Sequence, residues 1–332
     1  MPRKRAKPSK SHDSITAILS RSHTNLPPQK NEMGADRCFV VDGMNLAYSS
    51  YYANSSLRYM GKSTSMLFGV PNQIKSLINM EKIARVIVCW DGEKNPERLR
   101  LLPEYKSHRK ANLTDQQRAN FHKQIRRLRK LLYYLGLPQV YNPAMEGDDA
   151  IYWVVKSCQH LYDVRIISSD KDFGQLINKD VSVWKPRNKY CDTWQTFFLD
   201  YKVEVHQYVD YLCLTGDDSD DIPGYRGIGP ARASAFLGKF GSIKAYLKDR
   251  KAEFSGLNDK EKLREIWKRN RMLIDLAKFN ETHHKLSDVL YFKDKKLPKF
   301  QREKFIAYAK TFNMKTFLTE QFQKPFIQLQ DE

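Results

Sequence analysis

Phe39-Val40-Val41-Asp42 is an apolar run rich in β-branched residues that ends on a carboxylate, and the chain repeats that form twice. Val86-Ile87-Val88-Cys89-Trp90 leads into Asp91, and Val164 to Ile167 comes shortly before Asp170. Short runs of this kind, separated by helical patterns, read as buried strands of a largely parallel sheet. The ligand site of such a sheet lies outside the carboxyl ends of the strands, where these aspartates arrive. Glu146/Asp148/Asp149, Asp172 and Asp217/Asp220 extend the array to nine carboxylates. Anions cannot share a small site without cations, and a pair of divalent metals is the economical solution.

The setting of these acids is basic. The 332 residues hold 57 Lys+Arg against 38 Asp+Glu, a net charge of +19, with 41% hydrophobic residues. Such a composition belongs to a folded protein and makes nucleic acid the leading partner. Cys38, Cys89, Cys158, Cys191 and Cys213 form no CxxC pair, which fits a reduced, cytoplasmic setting and offers no zinc site. No apolar run approaches the roughly 18 residues needed to span a membrane.

Residues 1–37 are rich in Pro, Ser and basic residues and read as a flexible tail with at most one helical turn around Ile15, Ile18 and Leu19. Pro2 to Lys10 suits a nuclear import signal, an accessory nucleic-acid contact or a partner-binding segment. Residues 38–200 alternate strand and helix patterns, predicting an α/β domain whose central, mostly parallel sheet is flanked by helices. Its clearest helix starts at Thr114, which forms a capping box with Gln117 and puts Phe121, Ile125, Leu128, Leu132 and Leu135 on one face. Another begins at Asp148. After residue 201 the pattern turns helical: Val205 to Leu214, a turn-rich segment, Ala231 to Phe240, and a helix from Ser242. Residues 271–332 read as a helical part that supplies packing.

Asp170-Lys171-Asp172 leaves a strand on a tight turn suited to a hard cation. Glu146-Gly147-Asp148-Asp149 packs three acids into four residues, and Gly147 permits a backbone path that turns them to one side. Asp217 and Asp220 share one face of a turn. Gly227-Ile228-Gly229 opens a helix between Arg226 and Arg232, a backbone grip on phosphate without sequence readout. Between Glu93 and Lys130 stand twelve Lys/Arg and four acids. There Arg98, Arg100, Tyr105, Lys106, Arg109 and Lys110 suit an ion funnel with a stacking surface.

Read in order, these motifs resemble the 5′ nuclease family, which includes flap endonucleases, the 5′ nuclease domain of bacterial DNA polymerase I and phage 5′ exonucleases. The carriers are Val41-Asp42-Gly43-x-Asn45, Trp90-Asp91, Arg98, Tyr105-Lys106-x-x-Arg109, Glu146-Gly-Asp-Asp149, Ser169-Asp-Lys-Asp-Phe-x-Gln-Leu176, Gly216-Asp-x-x-Asp220-x-Ile-Pro-Gly224 and Gly227-Ile-Gly229. Ile166 to Phe173 and Trp184-x-Pro186 are further similar to the RNase H of T-even-like phages. The resemblance implies a helical arch at about 93–122, a helix-3-turn-helix region at 201–270 that grips duplex, and two Mg²⁺, with Mn²⁺ as a substitute. Asp42, Asp91, Glu146, Asp148 and Asp149 would serve the first metal, and Asp170, Asp172, Asp217 and Asp220 the second. Lys106 and Arg109 would steer the scissile phosphate, Arg98 would contact it from the arch base, Tyr105 would stack on a base, and Lys110 would bind nucleic acid. The Gly227–Gly229 loop would hold duplex phosphate with K⁺.

Four positions depart from the family pattern: Asp221 for Asn, Gly147 for Ala, and Ala231-Arg232 for Lys-Thr. The implied activity is removal of RNA primers and 5′ flaps by a monomer acting on flap DNA, RNA/DNA hybrid or duplex ends, with a sliding clamp or single-strand-binding protein as further partners. A DNA-binding protein without catalysis and a PIN-type ribonuclease are the alternatives.

Overall fold

The computed structural model describes residues 36–81, 83–107, 114–289 and 297–331. Residues 1–35 of the expected tail, with its helical-turn and import-signal readings, lie outside the described residues, as do His108, Arg109 and Lys110 of the expected arch, whereas Arg37 opens the first strand.

Six strands form the main sheet: β1 (Arg37–Asp42), β2 (Ile83–Trp90), β3 (Gln139–Tyr141), β4 (Asp163–Ile167), β5 (Val181–Lys185) and β6 (Tyr190–Asp192). Their order is β3-β2-β1-β4-β5-β6. The first five strands in sequence run parallel, and β6 turns back antiparallel to β5. Chain progression reverses between β1 and β4, so the crevice at the carboxyl ends of these two strands is the expected ligand position of a doubly wound sheet. Val41 stands opposite both Val88 and Ile167, which brings Asp42 and the turn after β4 to the same edge.

Strand alternation divides the interior in two. Cys38, Val40, Cys89 and Ile166 face one layer, where α5 (Gly147–Cys158) packs. Phe39, Val41, Val88 and Ile167 face the other, built from α1 (Gly43–Ala53), α2 (Ser65–Met80) and α4 (Asp115–Tyr134). Burial of both faces explains why the strands read as unbroken apolar runs. The short α3 (Pro96–Leu101) stands at the start of the expected arch. The Thr114 capping box is present: its hydroxyl accepts from the Gln117 amide at 3.2 Å, and its own amide donates to the Gln117 side chain at 2.9 Å. Gly136, at φ +76°, turns the chain after that helix.

The second half builds onto the first layer through α6 (Tyr208–Thr215), α7 (Pro230–Phe240), α8 (Ile243–Lys248), α9 (Lys260–Ile274) and α10 (Leu276–His283). The helix expected over Val205–Leu214 opens as a 3-10 turn, Val205–Gln207, before α6 begins. Residues 271–332 do not act as one part. Leu276 and Val289 pack on the α5 layer, whereas α11 (Arg302–Lys310) and α12 (Glu320–Asp331) send Phe305, Phe322 and Phe326 into the opposite layer with Phe317 between them.

Candidate metal centre and nucleic-acid interface

The ends of β1, β2 and β4 hand carboxylates to the same crevice, and local hydrogen bonding fixes their direction. Asp42 caps α1, accepting the Asn45 amide at 2.9 Å and the Ser168 hydroxyl at 2.8 Å. Asp91 accepts the Gly147 amide at 2.7 Å. A methyl group on Gly147 would lie 2.2 Å from that carboxylate oxygen, so a larger residue there would require the Asp91 side chain to shift. Asp148 and Asp149 follow in the first turn of that helix.

Across the crevice, Asp170 accepts the Asp172 amide at 3.0 Å and starts a 3-10 turn, Lys171–Leu176. Asp217 and Asp220 come from a tight excursion between β7 (Gly216–Asp217) and β8 (Ile222–Pro223). Gly216, at φ +77°, has no room for a side chain, since a Cβ there would sit 2.4 Å from the Gly224 nitrogen. Asp172, Asp217 and Asp220 offer carboxylate oxygens all within 4.8 Å of one another. One Asp172 oxygen is buried without a hydrogen-bond partner. That orphan acceptor and the all-carboxylate donor set fit a hard divalent cation.

Charge sorts the acids into two kinds. Glu146 and Asp149 already have cations. Arg98 binds Asp149 through both oxygens at 2.7 and 2.8 Å, reaches Glu146 at 3.0 Å, and lies 3.9 Å over the Phe279 ring. Lys106 meets Glu146 at 2.5 Å and stands 3.7 Å from Asp148 and 3.6 Å from Asp220. Burial alone would raise the Glu146 pKa, but Lys106 and Arg98 outweigh it and hold the group well below the ordinary carboxylate range. The opposite holds for Asp42, which burial pushes up to about 7, with repulsion from Asp91 and Asp170 opposing the Asn45 and Ser168 hydrogen bonds. Burial also raises Asp148, despite Lys106, and Asp172, where Asp170, Asp217 and Asp220 add repulsion. These three are the acids a cation would relieve most.

Several sequence expectations need correction. Tyr105, expected to stack on a base, is 2% exposed and donates its hydroxyl to Glu146 at 3.2 Å, because the apolar ring is covered by the core. Arg98, expected to touch phosphate, is 1% exposed, and both of its terminal nitrogens are taken by carboxylates. Asp149, expected at the first metal, is fully buried and spends its oxygens on Arg98 and on the Asn280 amide at 2.8 Å. Asp221, next to Asp220, takes φ +57° and accepts the Ser107 hydroxyl at 3.2 Å. Short polar side chains tolerate this left-handed conformation best.

The expected phosphate grip is built from exposed groups. Gly227, at φ +85°, and Gly229, at the start of α7, both face open space where a Cβ would be. Arg226 is exposed beside them. Arg232 instead ties the loop together, donating to the Gly227 carbonyl at 3.0 Å and the Ser255 carbonyl at 2.8 Å. The Ser242 hydroxyl caps α8 through the Ala245 amide at 3.1 Å.

Residues outside the expected site set hold the site together. Asn280 and Phe279 reach Asp149 and Arg98 from α10, in a segment that looked like packing alone. Gln175 bonds the Ile274 carbonyl and accepts the Leu276 amide, and Asn270 binds the Cys213 and Pro223 carbonyls. Spacing cannot reveal such partners, since each lies 40 or more residues away in the chain.

A doubly wound sheet with a carboxylate-lined switch point, joined to a helical unit that presents a glycine loop, defines a class of metal-using nucleic-acid proteins. Comparison with known proteins makes the class specific. Residues 37–204 match the model of the 5′-3′ exonuclease N-terminal resolvase-like domain, and residues 203–316 that of the 5′-3′ exonuclease C-terminal SAM fold. The chain is 32% identical over 213 residues to the 5′-3′ exonuclease of Aquifex aeolicus, covering 64% of this chain and 72% of that protein. It is 31% identical over 215 residues to the thermostable DNA polymerase I of Thermus aquaticus, 64% of this chain but only 25% of the polymerase. Among solved structures, T5 5′-exonuclease with bound zinc ions aligns with TM-score 0.65 at 22% identity, over 88% of this chain and 99% of the other. The T5 flap endonuclease complex with DNA and metal ions gives 0.64 at 24%, over 82% and 99%. The chain belongs to the 5′-3′ exonuclease family of nucleases, and its fold is theirs.

Proposed function

We propose that this chain is a divalent-metal-dependent 5′ nuclease that hydrolyses phosphodiesters at 5′ flaps, RNA primers and RNA/DNA junctions. The observation that carries the reading is the convergence of Asp42, Asp148 and Asp172, each with a raised pKa, at the switch point of a strongly basic protein. Family membership and the metal- and DNA-bound fold neighbours support it.

Asp42, Asp91 and Asp148 would hold one cation, and Asp170, Asp172, Asp217 and Asp220 another, with Mg²⁺ the physiological choice. When bound, the metals supply an activated water and neutralise charge on the phosphate. The remaining chemistry is the chain's own. Lys106 places a buried ammonium among Glu146, Asp148 and Asp220, where metal binding to Asp148 and Asp220 would leave Glu146 as its partner and let it turn toward a phosphate oxygen at the crevice. Arg109 and Lys110 would extend that attraction. Arg98 and Asp149 keep the start of α5 in place, so that Asp148 and Glu146 face the crevice. The exposed backbone at Gly227 and Gly229, together with Arg226, would bind the phosphates of adjoining duplex, with K⁺ as a bridge.

The test is cleavage of a 5′-labelled flap, with a DNA or RNA 5′ end, read by product length. Cleavage that persists in EDTA or in Asp172→Asn would refute the proposal. Tight binding with no turnover in Mg²⁺ or Mn²⁺ would indicate a DNA-binding protein without catalysis.

A further inference from the structure

Lys106 adopts φ +53°, a left-handed conformation unfavourable for a long L side chain. Something must pay for it. Its amide donates to the Asp220 carbonyl at 3.0 Å, which ties it to the turn carrying Asp217 and Asp220. On the other side, the Lys94 ammonium donates to two consecutive carbonyls, Tyr105 at 3.0 Å and Lys106 at 2.7 Å. Lys94 issues from a fixed segment, because the Gly92 amide bonds the Met145 carbonyl at 2.9 Å and the Glu93 amide bonds the Pro143 carbonyl at 2.8 Å. The Lys106 side chain is thereby directed inward, 4% exposed, onto Glu146.

We infer that Lys94 is a positioning residue: by gripping the carbonyls of Tyr105 and Lys106 it holds Lys106 in the conformation that delivers its ammonium among Glu146, Asp148 and Asp220. A charge-assisted hydrogen bond is stronger than a neutral one, and two of them on adjacent carbonyls resist the relaxation of residue 106 to ordinary φ. The two described hydrogen bonds of Lys94 go to backbone carbonyls. The kinetic consequence rests on the nuclease reading above; the geometric one does not.

The experiment compares full-length wild type with Lys94→Met, Lys94→Arg, Lys106→Ala and the double variant Lys94→Met/Lys106→Ala. Lysine acetylation read by mass spectrometry is the first measurement. Lys106 reacts slowly in wild type and Lys94→Arg, and in Lys94→Met its rate rises toward that of exposed Lys123. The second is flap cleavage: Lys94→Met loses about 10- to 100-fold in kcat with KM little changed, and loses nothing further once Lys106 is alanine. Wild-type labelling in Lys94→Met, or a loss that adds in full on Lys106→Ala, overturns the inference. If circular dichroism finds Lys94→Met unfolded, Lys94→Gln takes its place with the same two criteria. Should wild type cleave no flap, the nuclease reading fails and the labelling alone decides the role of Lys94.

Discussion

The two sides of the acidic crevice solve opposite electrostatic problems. Around Glu146 and Asp149 the protein supplies its own cations: Arg98 is bidentate on Asp149, Lys106 meets Glu146, and Asn280 and Phe279 complete the shell. Around Asp42 and Asp170 it supplies hydroxyl and amide donors, and it leaves one Asp172 oxygen without any, with like charges facing one another. The first side is finished by folding; the second is finished by a cation from solution. A stretch such as Glu146-Gly-Asp-Asp149 contains both kinds, because one turn of α5 sends neighbouring carboxylates to different surroundings.

The largest effect should come from exchanging the two kinds. Asp172→Asn removes an uncompensated charge, so flap cleavage should fall at least about a thousandfold while the metal-free protein keeps or gains thermal stability. Asp149→Ala should do the reverse in stability, because Arg98 is left buried beside one fewer carboxylate. Breaking such a pair costs about 3–5 kcal/mol, measurable by urea unfolding. Arg98→Met should be about as destabilising. If Asp149→Ala instead weakened Mg²⁺ binding without loss of stability, the division between the two sides would be wrong and Asp149 would be a ligand.

A smaller effect sharpens the same division through pH. Asp42 has a folded pKa of about 7, above its ordinary 3.8, so between those values the folded state binds the additional proton. This contribution to stability is therefore fully present at low pH and is lost as pH rises toward 7, with a slope of at most about 1.4 kcal/mol per unit. Glu146 is shifted the other way, and its contribution, present above the ordinary glutamate range, is lost only on strong acidification. Metal must displace the Asp42 proton, so apparent Mg²⁺ affinity should rise with pH up to about 7 and level off above it. Calorimetric titration at pH 6, 7 and 8 would check this, and an affinity independent of pH would show that Asp42 is not in the coordination set.

The fold was legible because strand burial on both faces leaves an unmistakable apolar signature, and the acids because they end those strands. The Thr114 capping box located a helix almost to the residue. What the sequence hid was the direction of side chains at the site. Tyr105, Arg98 and Asp149 are polar or amphipathic residues in a charged stretch, and such a stretch reads as a surface. Arg98 and Asp149 are covered by Phe279 and Asn280, more than 120 residues on, and no local pattern announces that contact. Even the acidic motif could not say which of its members folding had already neutralised.

The smallest effect separates two arginines of the glycine loop that look alike in sequence. Arg226 is exposed beside Gly227, whereas Arg232 spends its guanidinium on the Gly227 and Ser255 carbonyls. A residue acting by charge alone should tolerate lysine, while one that braces a loop through a planar fork should not. Arg226→Ala should therefore flatten the dependence of log K on log[salt] for duplex by about 0.9, the value for one phosphate contact, and Arg226→Lys should restore it. Arg232→Lys should keep the slope yet weaken binding at every salt concentration, because the charge survives and the loop shape does not. Equal behaviour of the two lysine variants in fluorescence anisotropy would mean that Arg232 leaves its carbonyls to meet DNA, and the loop would then be assembled by its substrate rather than in advance of it.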